Sequence, residues 1–343
     1  MKADRYLFND NWCFLKTELG TELPDIRGRE EQFAPVDIPH DWLIYNPRDL
    51  YEDSTGWYRK SIFVNRMENT GSIRDGWLCC PPGQRVILRF DGVYMDSTLY
   101  VNGHRVGDWK YGYSAFEHDI TEYLQPGENE LLMQVRHQSP NSRWYSGAGI
   151  YRNIWLKVCP AVYLPLDGTY AHTRWRQGEG YWLEIETECA GAVSENTRCC
   201  YSLWHKEKEV RNLGWGERFT RGDGQSSFGL KTLVTGLEEW DLEHPVCYRL
   251  RVELYGIAGE QTGDGALQPE EPHRPAGETA LSGLVRMDYQ EITLGLRRME
   301  FTPDRGFFLN GRYVKIHGVC EHHDLGILWL VRSALTPISF SIR

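Results

Sequence analysis

Four ionisable side chains in a row, Glu321-His322-His323-Asp324, follow the short extended run Tyr313-Val314-Lys315-Ile316 and Gly318. A strand that ends in small residues and then delivers ionisable groups is how parallel α/β barrels present side chains to a substrate. Imidazoles beside carboxylates can share hydrogen bonds and protons with such a substrate, or ligate a metal. Ligands this close in sequence, with no second cluster to complete a shell, argue against the metal. Upstream, Phe307-Phe308-Leu309 runs into Asn310-Gly311, a two-residue hairpin signal because both central positions accept positive φ.

The elements that would have to position this cluster are set by the rest of the chain. At 343 residues there is room for two to three ordinary domains. Charged residues are 25% and hydrophobic ones 41%, the mix of a globular protein. A net charge of −10 argues against nucleic acid, which needs a basic face. No apolar run approaches the ~18 residues that would span a membrane, and MKADRYLFNDNW lacks the apolar centre of a signal peptide. Nine cysteines, with adjacent pairs Cys79-Cys80 and Cys199-Cys200 and no Cys-x-x-Cys, read as reduced structural thiols of a cytoplasmic protein. Aromatics reach 13%, including 13 Trp and 19 Tyr. That suits stacking on sugar rings, and it also suits β-sandwich cores.

Over residues 1–160 the pattern is short alternating runs between turns. Arg59–Val64, Arg85–Phe90, Asp96–Val101, Glu130–Arg136 and Asn153–Val158 read as strands, with Asn102-Gly103 as a second hairpin turn. Two stacked sheets of a jelly roll are expected. Pro160 and Pro165-Leu166-Asp167-Gly168 mark a joint. Beyond it, Leu183, Ile185 and Thr187 alternate with Glu184, Glu186 and Glu188. Likewise Tyr248, Leu250, Val252 and Leu254 alternate with Arg249, Arg251 and Glu253. Each pattern predicts one buried and one wet sheet face, a small antiparallel sandwich over 161–298 in which the glutamates are solvated. Glu68–Pro82 reads as a surface insertion and Gly256–Gly277 as a flexible excursion.

Phe308, Leu309, Asn310, Gly311, Gly318, Val319, His322 and Asp324 together resemble the hairpin and first barrel strand of family-two glycoside hydrolases, the β-galactosidase and β-glucuronidase group. The earlier chain is similar to the family's jelly roll at Pro39-His40-Asp41-Trp42, Gly56-Trp57-Tyr58-Arg59-Lys60, Leu88–Val93, Val101-Asn102-Gly103, Pro126–Asn129 and Ser142–Arg152. Leu294-Gly295-Leu296-Arg297 stands where the family has Phe-Gly-Phe-Arg. The resemblance implies a mainly β fold: a jelly roll, an immunoglobulin-like sandwich, then from 299 to 343 the first hairpin and strand of an incomplete (β/α)8 barrel.

What the resemblance implies for the site follows from that layout. His322 would hydrogen-bond sugar hydroxyls, more strongly as positive charge develops on the ring. A jelly-roll loop reaches the sugar pocket in the family. Here Asn141–Tyr145 is the candidate, with Asn141, Arg143 and Trp144 as substrate-binding residues, since an arginine fork and an indole plate suit a sugar. Alternatively Arg143 and Trp144 seal the jelly roll against its neighbour. Asn129-Glu130 resembles the family's acid/base dipeptide but stands after a Pro-Gly turn, within the jelly roll, and is not taken as catalytic.

Retaining hydrolysis uses two carboxyl groups about 5–5.5 Å apart, and in the family both are glutamates on later barrel strands. Leu325–Arg343 matches none of those strands and reads as a shifted frame or a broken gene, so this chain is expected to be inactive, and poorly ordered or aggregation-prone after about residue 299. The resemblance leaves room for Mg²⁺ or Na⁺ in a complete enzyme, but no residue here supports either, and no cofactor is assigned. The expected partner is a β-galactoside or related small carbohydrate, with galactose, glucuronic acid and mannose undecided. A complete enzyme would be free to form homo-oligomers. The competing expectation is a carbohydrate-binding sandwich without enzymatic activity.

Overall fold

The computed structural model describes residues 5–46, 48–65, 72–74, 77–142, 144–257 and 283–319. Strands dominate, and the chain divides into two compact units that break between Val158 and Cys159.

In the first unit a four-stranded sheet runs in the order Arg5–Leu7, Ile154–Pro160, Gln84–Phe90 and Phe116–Asp119. The larger sheet runs Ala34–Val36, Trp12–Glu18, Ser54–Asn65, Gly127–His137, Ser97–Val101 and His104–Trp109. Alternate residues of both sheets, among them Val86, Leu88 and Phe90 from one and Leu99, Leu131, Met133 and Val135 from the other, meet in a single apolar core. This is the jelly-roll sandwich that alternation predicts. The Asn102-Gly103 turn forms with φ of 51° and 79°. Asn102 Oδ1 accepts the Glu130 N–H at 3.0 Å, and Nδ2 donates to Tyr123 O and Asn129 Oδ1, both at 2.8 Å. Asn129 in turn closes the Gln125–Gly127 turn through both of its side-chain atoms, and Arg59 Nε donates to Glu130 at 2.6 Å. The Asn-Glu dipeptide therefore holds a turn together.

The 68–82 stretch departs from expectation. Ser72–Arg74 pairs with Trp77–Cys79, which adds in parallel to the Ser54–Asn65 strand at Phe63↔Trp77. Leu78, Cys79 and Cys80 are buried. The apolar Leu-Cys-Cys run explains this: three consecutive apolar side chains gain more by joining the sheet's core than by staying in water.

The second unit is an immunoglobulin-like sandwich. Thr169–Arg176, Gly180–Glu188, Ser226–Val234 and Glu217–Thr220 form one sheet, and Lys208–Trp215, Arg198–His205, Tyr248–Ile257 and Leu284–Leu294 the other. Leu183, Ile185, Leu250, Val252 and Leu254 are in its core, while Glu184, Glu186 and Glu188 keep contact with solvent. Glu253 corrects the sequence reading. It is 2% exposed and takes hydrogen bonds from Arg286 at 2.8 Å and Tyr255 at 3.2 Å. A bulge between Leu254 and Tyr255 ends the alternation there, and the arginine makes burial of the carboxylate tolerable. The expected excursion Gly256–Gly277 lies, from residue 258, outside the described residues.

After Leu296 the chain forms a small three-stranded sheet, Met299–Thr302, Gly306–Leu309 and Arg312–Tyr313. Asn310 and Gly311 take φ of 49° and 81°, as a type I′ turn requires. Asn310 Oδ1 accepts the Arg298 N–H at 2.8 Å and Nδ2 donates to Trp240 O at 3.0 Å. Against the expectation of poor order after residue 299, the described stretch 299–313 forms a hydrogen-bonded hairpin whose turn asparagine bonds to the sandwich's own loop. The expected extended run Tyr313–Ile316 is a strand only at Arg312–Tyr313, and Ile316 and Val319 are exposed. Among the described residues no helix is long and apolar enough to cross a membrane.

Leu78→Ala is expected to destabilise the jelly roll by about 2–4 kcal/mol, the range for a buried leucine, in urea unfolding followed by tryptophan fluorescence. A change below about 0.5 kcal/mol would return this stretch to the surface.

Candidate functional site

Strand pairing in the jelly roll brings three connections to one end of the sandwich: 91–96, 110–115 and 138–153. The last contains the candidate loop. Its conformation is dictated by Pro39-His40-Asp41-Trp42, which runs beneath it. Trp42 is buried, stacks on Phe14 with centroids 5.4 Å apart and donates from Nε1 to Ser54 Oγ at 3.0 Å. Asp41, 1% exposed, accepts the Tyr145 hydroxyl at 2.6 Å, the Ala148 N–H at 3.0 Å and the Leu43 N–H at 3.1 Å. Burial outweighs those donors and raises its pKa above the usual carboxylate range. His40 sits between two phenols, Nδ1 at 2.7 Å from Tyr58 and Nε2 at 2.9 Å from Tyr45. Burial lowers its pKa to about 4. A neutral ring with both nitrogens engaged is structural at neutral pH.

The backbone completes the clamp. His40 N donates to Ile150 O and Trp42 N to Ala148 O, and Gly149 and Tyr94 exchange a reciprocal pair. Position 149 requires glycine. Its φ is +132°, and a Cβ there would overlap the Tyr58 hydroxyl and the His40 carbonyl.

On this base the loop presents its side chains. His137, at the end of its strand, places Nδ1 2.7 Å from Glu52 O and Nε2 3.3 Å from Ser146 Oγ. Asn141 is exposed; its Nδ2 donates to Gln138 O at 2.9 Å and reaches 3.4 Å from His137 Nε2. Trp144 is half-buried. Its Nε1 donates to the Tyr113 hydroxyl at 3.4 Å, and its carbonyl accepts Ser142 Oγ at 2.6 Å.

The structure thus brings Asn141 and Trp144 to one rim. Arg143 lies outside the described residues, as do His322 and its neighbours Glu321, His323 and Asp324. Three tyrosines of the same rim, Tyr94, Tyr111 and Tyr113, went unread in the sequence. The aromatic spacing Trp109–Tyr111–Tyr113 was the available signal, but an alternating aromatic run reads equally as a strand. Burial pushes the Tyr94 phenol up to about 12, so it stays neutral. Rings, amides and phenols of this kind bind and orient. None of these described groups is set up as a nucleophile or proton-transfer residue.

Two measurements check the clamp. Asp41→Ala strips an acceptor from three donors and is expected to cost about 3 kcal/mol or more, whereas Asp41→Asn, which keeps one oxygen, costs about 1 kcal/mol in the same unfolding assay. For His40 the unfolded chain takes up a proton near pH 6.5 while the folded one resists until about pH 4. Stability therefore falls as pH drops through that window, by roughly 3 kcal/mol. Asp41, with its raised pKa, acts in the opposite sense at the acid end, so the slope is read as the difference between wild type and His40→Gln. An unchanged slope in the variant would contradict the assignment.

Comparison with known proteins agrees with this architecture. Residues 34–160 match the family profile described as glycosyl hydrolases family 2, sugar binding domain. The chain is 30% identical to a β-galactosidase of Bacteroides ovatus over 346 aligned positions, covering 95% of this chain and 35% of that protein. It is 25% identical to a β-glucuronidase of Bacteroides fragilis, covering 93% and 41%. Across these two relatives the chain spans between a third and just over two-fifths of their length. The crystal structure of a Bacteroides uniformis β-glucuronidase superposes with a TM-score of 0.72 at 24% identity, covering 96% of this chain and 36% of that one. A β-glycosidase from Bacteroides vulgatus does so at 0.69 and 22%, covering 96% and 38%. These structural likenesses concern the fold. The jelly-roll profile and the sequence relatives, in turn, place the chain in glycoside hydrolase family 2.

Proposed function

We propose that this chain is the sugar-recognising and supporting portion of a β-galactosidase-type hydrolase that cleaves β-galactosides with retention. The observation that carries the reading is the Asp41-clamped loop, which offers an exposed amide, Asn141, beside a half-buried indole, Trp144, at one rim of the jelly roll. An amide and an aromatic plate are what a neutral pyranose needs: one to exchange hydrogen bonds with hydroxyls, the other to cover its C–H face. The name of the Bacteroides ovatus relative, a β-galactosidase, supports galactose.

The chemistry of such an enzyme is double displacement through a glycosyl-enzyme intermediate. By resemblance, both of its glutamates belong to barrel strands beyond the hairpin, and His322 hydrogen-bonds sugar hydroxyls near the reacting carbon. Asn141 and Trp144 then act on binding and orientation, lowering the barrier through position and not through proton transfer. The second reading, a sandwich that binds carbohydrate without cleaving it, is favoured by the profile over residues 34–160.

The 343-residue chain incubated with an aryl β-galactoside is expected to give no turnover above buffer. Turnover that disappears in His322→Ala would overturn this and place the catalytic machinery within the chain. An aryl β-glucuronide serves as the parallel substrate, and turnover of it alone would sink the galactoside assignment.

A further inference from the structure

We infer that the jelly roll carries an oligosaccharide platform of its own, in which the exposed ring of Tyr111 is the stacking face and the Tyr113–Trp144 pair its edge. This rests on the sugar-recognition reading above and extends it to residues that reading does not use. Tyr111 is 62% exposed, and its hydroxyl makes no hydrogen bond among the described residues. A tyrosine so exposed normally moves freely, but this one is braced on one side by a ring that is itself braced. Its ring meets Tyr113 edge-on at 5.8 Å, and Tyr113 meets the buried Tyr94 edge-on at 5.1 Å.

The backbone between the exposed Tyr111 and the half-buried Tyr113 is pinned as well. Gly112 is buried with its Cα pressed on the Tyr94 ring, where a Cβ would collide, and its carbonyl accepts the Tyr151 hydroxyl at 2.8 Å. Tyr151 is itself buried beside Tyr94. Loop 110–115 is thereby fastened to the other two connections of the same rim. Its aromatic face is set before any ligand arrives, which removes the ordering cost that weakens binding by loops.

The polar groups beside this face match one ligand chemistry. Trp144 Nε1 points to the Tyr113 hydroxyl at 3.4 Å, a long bond that a sugar hydroxyl can join. Asn141 is exposed, and its Oδ1 accepts no hydrogen bond among the described residues. A plate flanked by a phenol, an indole N–H and an amide oxygen fits a neutral pyranose chain, whose C–H faces and equatorial hydroxyls alternate at that scale. A proline-rich peptide also stacks on tyrosines, but the sugar is favoured because residues 34–160 match a sugar-binding profile.

The experiment is titration calorimetry of the whole chain with a β-linked galactotetraose, using wild type, Tyr111→Ala, Tyr111→Phe and Trp144→Ala. The expected result is binding by wild type, about tenfold weaker in Tyr111→Ala, near wild type in Tyr111→Phe and weakened in Trp144→Ala, with thermal unfolding of all four unchanged. Binding that Tyr111→Ala leaves intact while Trp144→Ala abolishes it overturns the platform and leaves the sugar-recognition reading standing. Equal losses in Tyr111→Ala and Tyr111→Phe overturn the stacking role. Absence of tetraose binding in wild type overturns the inference together with that reading, as does binding of a polyproline decapeptide in place of the sugar.

Discussion

One buried carboxyl group fixes the working end of the jelly roll. Asp41 accepts from a phenol and two backbone amides that lie on two segments a hundred residues apart. Taking a carboxylate out of water is costly, and three donors offset most but not all of that cost, which is why the raised pKa persists. An apolar contact at the same place would hold the loop down without orienting it. Hydrogen bonds to defined atoms specify where Tyr145 and Ala148 sit, and so the direction in which Asn141 and Trp144 leave the rim. The energetic return on this arrangement is small; the geometric return is large.

The same logic extends to the neighbouring connections. Gly149 and Gly112 each stand where a side chain would collide with a buried aromatic residue, so the rim is assembled by close approach of backbone to ring. His40 and His137, both with their two nitrogens bonded, fill polar gaps that apolar residues would leave unpaired. Loops of a sandwich are ordinarily its mobile part. Here they are tied to the core by a chain of phenols, imidazoles and one carboxyl.

Much of the fold was legible because it is governed by local rules. Period-two alternation placed the strands at 59–64, 85–90 and 181–188, and Asn-Gly placed both tight turns, since few other pairs accept positive φ twice in succession. What escaped were features decided by distant partners. Leu78-Cys79-Cys80 looks like part of a turn-rich insertion until a strand edge at Phe63 is available for it to pair with. Glu253 obeys the alternation of its strand, yet a bulge and an arginine from the adjacent strand bury it. The rim tyrosines were unreadable for the same reason: nothing local to Tyr111 or Tyr113 records that Tyr94 and Tyr151 wait beneath them. Asn141 and Trp144 could be singled out only through family resemblance, and the structure supplies the reason their loop can hold a pose.

The second sandwich carries a parallel constraint. Asn310 spends its side chain on Arg298 and Trp240, Trp240 N donates to Leu296 O, and Arg298 lies over the Trp175 ring at 4.2 Å. The hairpin at 299–313 is therefore oriented by main-chain bonds to the sandwich, and its turn is too short to swing. A strand leaving Tyr313 starts from a direction the sandwich dictates. The turn asparagine is thus also the hairpin's anchor, which accounts for asparagine and not aspartate at this turn: only the amide both accepts from Arg298 N and donates to Trp240 O.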